Sequence, residues 1–168
     1  METLPGNQKP IHIRSHLEPG DIGYITYLHG LCYTQEYGLD YTLEGYVAAG
    51  LAQFVQSFDA RKDCLWIAEM GRQRVGSIGI VGQAHGEAQL RWFLVHPSCR
   101  GRGLGLSLLK NALQFCRERQ FKSVLLWTFS DLEAAAHLYR SVGLRKTEQK
   151  THQLWGRTLT EERYDLFL

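Results

Sequence analysis

At 168 residues, 44% hydrophobic and 21% charged, the chain has the length for one domain with a sizeable core and the balance of an ordinary globular protein, which excludes a disordered or fibrous class. Nineteen basic against 17 acidic residues leave a net charge of only +2, too small an excess to mark nucleic acid as a partner. Four widely spaced cysteines exclude a zinc ribbon or disulfide scaffold and favour a reducing, cytoplasmic setting. No membrane-spanning run or secretory leader is read, Met1 to Pro10 lacking an apolar centre.

In chain order, Ile11 and Ile13 alternate with His12 and Arg14 in a first strand over 9–14. A helix follows, with Pro19 near its start and Ile22, Ile25, Leu28 and Leu31 or Cys32 on one face, ending before Gly38. A second helix opens at Thr42-Leu43-Glu44 and turns Leu51, Phe54 and Phe58 inward. Cys64 to Met70 and Arg74 to Val81 read as a hairpin across Gly71-Arg72. Ala88 to Val95 is a strand apolar enough to be central, stopped by Pro97. The pattern then predicts a helix over 103–119, a strand over 122–128, a helix over 131–141 led by the capping box Ser130 to Glu133, and strands over 144–150 and 162–168. This order predicts one α/β (α+β) domain over 1–168 with a mixed sheet.

The segment His96-Pro97-Ser98-Cys99-Arg100-Gly101-Arg102-Gly103-Leu104-Gly105-Leu106 joins the central strand to the third helix. Glycines at alternate positions let an anion approach the unpaired amides of a helix start, and Arg100 and Arg102 add positive charge. A dinucleotide fingerprint would need a glycine at Leu106 or Leu108, and the chain has no Walker Gly-Lys-Ser/Thr.

The pattern Arg-x-x-Gly-x-Gly from Arg100 to Gly105 resembles the pyrophosphate signature of the Gcn5-related N-acetyltransferase (GNAT) superfamily. Ala134 to Leu144 is similar to that superfamily's Ala-x-x-Leu-Tyr-x-x-x-Gly-Phe segment, with Leu144 in place of Phe. His29-Gly30-Leu31, Glu36-Tyr37-Gly38, Cys64 to Glu69 and Thr158 to Leu168 extend the resemblance to the acetyltransferase domain that follows MarR-type winged helices in bacterial proteins. The resemblance implies a GNAT-like mixed central sheet with helices on both faces and a bacterial, cytoplasmic enzyme, monomeric or homodimeric. Its cosubstrate is acetyl-CoA and its acceptor a small amine or protein amino group, attacked without an acyl-enzyme. A rival reading from another class is a non-catalytic acyl-CoA sensor.

By that resemblance the pantetheine pairs with the backbone of Phe93, Leu94 and Val95, one of whose amides polarises the carbonyl, and the diphosphate sits on main-chain nitrogens from Arg100 through Gly101, Arg102, Gly103, Leu104 and Gly105 to Leu106. Tyr139 is the implied acid for the departing thiolate. Where many members carry a cofactor-binding asparagine this chain has Leu132, so Ser130 or Asp131 substitutes. An amine of pKa near 10.4 is neutral in only about 1 part in 2,500 at pH 7, so a base is sought among Glu36, Glu69, Glu87 and His29, with Glu36 preferred, or in a water chain. Tyr24, Tyr27, Tyr33, Tyr37, Tyr41 and Tyr46 are candidate walls of the acceptor site. No His-x-x-x-His pair points to a metal, and Cys99 has no sequence-adjacent base to make it a nucleophile.

Overall fold

The alternating apolar residues fold into an antiparallel meander of β2 (Cys64–Met70), β3 (Gln73–Gly82) and β4 (Glu87–Val95), in a computed structural model that describes residues 9–168. Residues 1–8, most of the stretch read for a secretory leader, lie outside the described residues. β1 (Ile11–Arg14) extends the edge beside β2. β5 (Ser123–Phe129) then pairs parallel to β4, while β7 (Arg157–Phe167) and β6 (Arg145–Leu154) complete the order β1-β2-β3-β4-β5-β7-β6. β4 is the central strand, in keeping with its continuous apolar run.

Helices cover both faces, each seated by its apolar stripe. α1 (Asp21–Tyr37) and α2 (Tyr41–Gln56) bury Ile25, Leu43, Val47, Leu51 and Phe54 against Leu65, Ile67 and Trp92. On the other face, α3 (Leu104–Glu118) packs Leu104, Leu108, Leu109, Ala112, Leu113 and Cys116 with Ala136 and Tyr139 of α4 (Glu133–Ser141) over Ile78, Ile80, Leu90 and Val124. This alternation of faces is the mixed sheet expected from the order of elements.

Two local irregularities shape the centre of the sheet. β4 and β5 are paired only from Glu87, Ala88 and Gln89 to Ser123, Val124 and Leu125, so beyond these residues the strands part. Upstream register runs Ser77↔Leu94 and Gly79↔Arg91, so Trp92 and Phe93 together face Ile78 alone in a bulge. Trp92 has φ +51, its carbonyl accepts a hydrogen bond from Ser77 Oγ at 2.6 Å, and Gly79 leaves the room its indole needs, since a Cβ there would lie 2.7 Å from Cε3.

Three expectations are corrected. Phe58, expected on the inner face of the second helix, lies past the end of α2 and is exposed. The capping box does not form: α4 begins after Leu132 with no side-chain cap, because Asp131 pairs with Arg157 at 3.0 Å and the Ser130 amide bonds Thr160. The last strands are longer than predicted and meet at a two-residue turn, Trp155-Gly156, with both residues at positive φ. A bulky tryptophan in that conformation is a turn residue no sequence rule selects.

Candidate active site

The gap between the parted strands opens into a cavity of about 440 Å³. One wall is β4 from Gln89 to Val95, whose edge toward β5 has no strand partner beyond Gln89, and the opposite wall is Leu126 to Phe129 of β5. Such an edge offers main-chain donors and acceptors to an extended ligand. Phe93, Leu94 and Val95 all line the space.

At the end of β4 the chain turns through Pro97–Cys99, where His96 accepts the Ser98 amide at 3.2 Å, and reaches α3 through Gly101 (φ +72) and Gly103 (φ +77). A Cβ at either glycine would meet nothing within 4 Å, so these positions are glycine for the left-handed backbone, and the space before them is open. Gly103 caps α3 without a side-chain bond, which leaves the amides of Leu104, Gly105 and Leu106 facing outward at the positive end of the helix. Gly105 differs: a Cβ there would sit 3.0 Å from Leu138 Cδ1, so its role is close packing of α3 on α4.

The two arginines of this loop have different fates. Arg100 closes a bidentate pair with Glu36, both contacts at 2.7 Å, and donates Nε to the Val95 carbonyl at 3.1 Å. Its guanidinium is thus directed at the end of α1, and Glu36 has both oxygens occupied and does not line the cavity. Arg102 makes one side-chain hydrogen bond, to Met70 Sδ at 3.6 Å, and forms no ion pair among the described residues.

Tyr139 reaches the cavity from α4, with its ring centroid 6.0 Å from Phe93 and 5.7 Å from Tyr164. Burial pushes its phenol well above the ordinary range, so it stays protonated. Thr128 of β5 faces the same space, and its Oγ1 is the buried side-chain oxygen with no hydrogen-bond partner among the described residues. His29 lines the α1 side; its Nδ1 donates to the Ile25 carbonyl at 2.8 Å, and burial lowers it to about 4, so the ring is neutral.

Other expected residues lie elsewhere. Glu69 is bonded to Arg14 and Glu87 faces Arg163 at 3.9 Å, both away from the cavity, so of the four candidate bases only His29 lines it. Ser130 is exposed and outside the cavity, whereas Leu132 is one of its walls. Of the six tyrosines, Tyr33, Tyr37 and Tyr46 line it, and Tyr27 and Tyr41 point to solvent. Cys99 is buried in the wall, and His96 bonds Ser98 Oγ at 2.7 Å instead of the thiol. Sequence reading missed Arg91, Thr128 and Trp155, all of which line the cavity.

The site has counterparts in known proteins. The chain is 36% identical over 88 residues to the probable N-acetyltransferase camello of Xenopus laevis, covering 50% of this chain and 39% of that protein. It is 32% identical over 99 residues to human N-acetyltransferase 8B, covering 56% and 44%. The chain thus spans less than half the length of these curated relatives. In fold it is similar to an acetyltransferase from Streptococcus agalactiae (TM-score 0.74, 22% identity, 94% and 98% covered). It is similar also to the yncA protein of Salmonella typhimurium, solved with its cofactor acetyl-CoA (TM-score 0.71, 18% identity, 94% of each chain). The model of the acetyltransferase (GNAT) family matches residues 25–144, well over half of the sequence and the whole cofactor-side wall, and the chain belongs to that family.

Proposed function

We propose that the protein is an acetyl-CoA-dependent N-acetyltransferase that moves the acetyl group to an amine by direct attack on the thioester. The observation that carries this reading is the unpaired edge of β4 leading, through the Pro97–Cys99 turn and the glycine loop, to the start of α3, which has no side-chain cap. The first suits an extended amide-bearing arm and the second a diphosphate, and acetyl-CoA carries both in that order. Arg102, exposed and in no ion pair among the described residues, supplies positive charge beside the loop, with the amides from Gly101 to Leu106 as the cradle; Arg100 contributes by bracing the loop against Glu36.

In the reaction the amine nitrogen attacks the thioester carbon while an amide of Phe93, Leu94 or Val95 stabilises the oxygen that gains charge. Collapse breaks the C–S bond, and the sulfur leaves with the electron pair. A thiol titrates near 8.5 and the buried Tyr139 phenol well above its own usual 10, so complete proton transfer from the phenol runs uphill. Tyr139 therefore donates a hydrogen bond to the sulfur, and the proton that completes the thiol comes from the nitrogen. His29, neutral and of low basicity, offers the cavity a lone pair that orients the amine; the ammonium loses its proton to water before attack.

The similarity to curated N-acetyltransferases and the structural likeness to a protein solved with acetyl-CoA support this reading. The four unpaired cysteines favour a reducing compartment such as the cytoplasm. Calorimetry with acetyl-CoA, together with amine-dependent release of free thiol, tests it. Thiol release only with an amine is expected; tight binding with no release on any amine overturns the enzyme in favour of a sensor. Tyr139→Phe is expected to lower kcat about 10- to 100-fold, the scale of one hydrogen bond to a developing charge, at nearly unchanged acetyl-CoA affinity, and unchanged turnover where chemistry limits the rate overturns its role.

A further inference from the structure

Two arginines line the cavity, and only one is matched by a carboxylate. Arg100 is held by Glu36, whereas Arg91 of β4 has no acidic partner among the described residues; its one hydrogen-bond acceptor is Tyr46 Oη, at 3.5 Å. The Arg91 guanidinium lies over the Trp92 ring at 4.6 Å and near the Tyr46 ring at 5.8 Å, so aromatic faces hold it without neutralising it. Gly50, in the middle of α2, makes the room: a Cβ there would lie 2.8 Å from Nη2. A glycine inside a helix costs about 0.5–1 kcal/mol relative to alanine, so the fold gives up stability where this cation sits.

The position separates Arg91 from the cofactor's phosphates. It precedes the Trp92 bulge, and four residues of strand, roughly 13 Å, lie between it and the end of β4 where the glycine loop begins. The surroundings are apolar and aromatic: Leu43, Tyr46, Val47 and Trp155, with Tyr46 and Trp155 ring centroids 5.3 Å apart. The other charged group there, Glu161, is bonded to His152 Nε2 at 2.6 Å. An occupant of this end matches its wall with an apolar body and its unmatched charge with a planar anion.

We infer that the acetyl acceptor is an amine that carries a carboxylate, seated on Arg91, with an apolar or aromatic side chain against Tyr46 and Trp155. This rests on the transferase reading above, and deepens it from amines in general to amino acids or similar amino carboxylates.

The test compares L-phenylalanine with 2-phenylethylamine, which differ only by the carboxylate, in the full chain with saturating acetyl-CoA. The kcat/KM ratio is expected to favour the amino acid by at least about 10-fold, the scale of one charge-assisted hydrogen bond. Arg91→Gln is expected to cut that ratio to near one and Arg91→Lys to an intermediate value. Gly50→Ala, which displaces the guanidinium without deleting it, is expected to lower the ratio at least about threefold. Equal rates on the two amines in the unaltered protein overturn the inference, as does a ratio that none of the variants moves.

Should no amine release thiol, the transferase reading fails by itself, and the inference is then read from binding; release with other amines but with neither of these two overturns the inference alone. N-acetyl-L-phenylalanine and N-acetyl-2-phenylethylamine are titrated against the fluorescence of Trp92, Trp127 and Trp155. Tighter binding of the carboxylate, lost in Arg91→Gln, sustains it; equal binding overturns it.

Discussion

A single hydroxyl in the cavity wall has no partner among the described residues. Thr128 Oγ1 is buried and unbonded, and a polar atom in that state costs roughly 1–3 kcal/mol in the free protein. Valine has nearly the same shape without the hydroxyl. Thr128→Val is therefore expected to stabilise the free protein by about 1 kcal/mol in denaturant titration and to weaken acetyl-CoA about 3- to 10-fold in calorimetry. A variant that gains stability with no loss of affinity would mean that the hydroxyl meets no ligand. Thr128 carried no signal in the sequence: in a regular strand its side chain would be one more β-branched residue, and only the parting of β4 and β5 leaves it facing an opening. The glycines at 101 and 103 were legible because a left-handed turn into a helix selects glycine locally, whereas Tyr139 was legible only through the resemblance of Ala134 to Leu144 to the GNAT segment.

Among the elements, the β6–β7 hairpin reaches furthest for its place in the site. Trp155 is held at φ +52 because its carbonyl accepts the Asp40 amide at 2.9 Å and Gly156 abuts the Asp40 carboxylate, where a Cβ would lie 2.7 Å from Oδ2. Asp40 also caps α2 by accepting the Thr42 amide at 2.9 Å. Hairpin tip and helix start are thus locked together at the mouth of the cavity, with Trp155 leaning on Tyr46. Gly156→Ala is expected to push the tip outward and raise the KM for the amine severalfold while acetyl-CoA affinity stays within twofold, measured by steady-state kinetics and calorimetry. The strands and helices themselves were readable from their apolar periods, and each appears within a few residues of its expected place except β7. That strand starts at Arg157 instead of Glu162 because the turn is set by docking on Asp40, a contact 115 residues away in sequence that no local rule reaches. The absent capping box has the same origin, since β7 takes both of its leading residues: the Thr160 carbonyl accepts the Ser130 amide and Arg157 holds Asp131 outside the helix.

For the molecule as a whole, acid acts in two stages. His29 is held at about 4 against its usual 6.5, so between these values the unfolded chain binds a proton that the folded chain refuses; this stabilising term is complete above pH 6.5 and fades as pH falls to 4. Asp21, fully buried between Arg14 and Arg74, is held at about 2 against 3.8 by their hydrogen bonds in opposition to burial; its term is complete above about pH 4 and fades below that. Urea titrations from pH 7 to 2.5 are expected to show two successive losses, the first absent in His29→Phe. Asp21→Asn is expected to cost about 3–5 kcal/mol at pH 7, because Arg14 is left buried with its main partner gone, and to flatten the second loss. A stability curve level from pH 7 to 4 would contradict the burial of His29.

The short parallel contact between β4 and β5 divides the sheet into two plates, β1 to β4 and β5 to β7, riveted along their shared seam at only three residue pairs. On the proposed function, the extended arm of acetyl-CoA fills that gap and completes the missing stretch of seam from its own amides, a temporary eighth strand shared by both plates.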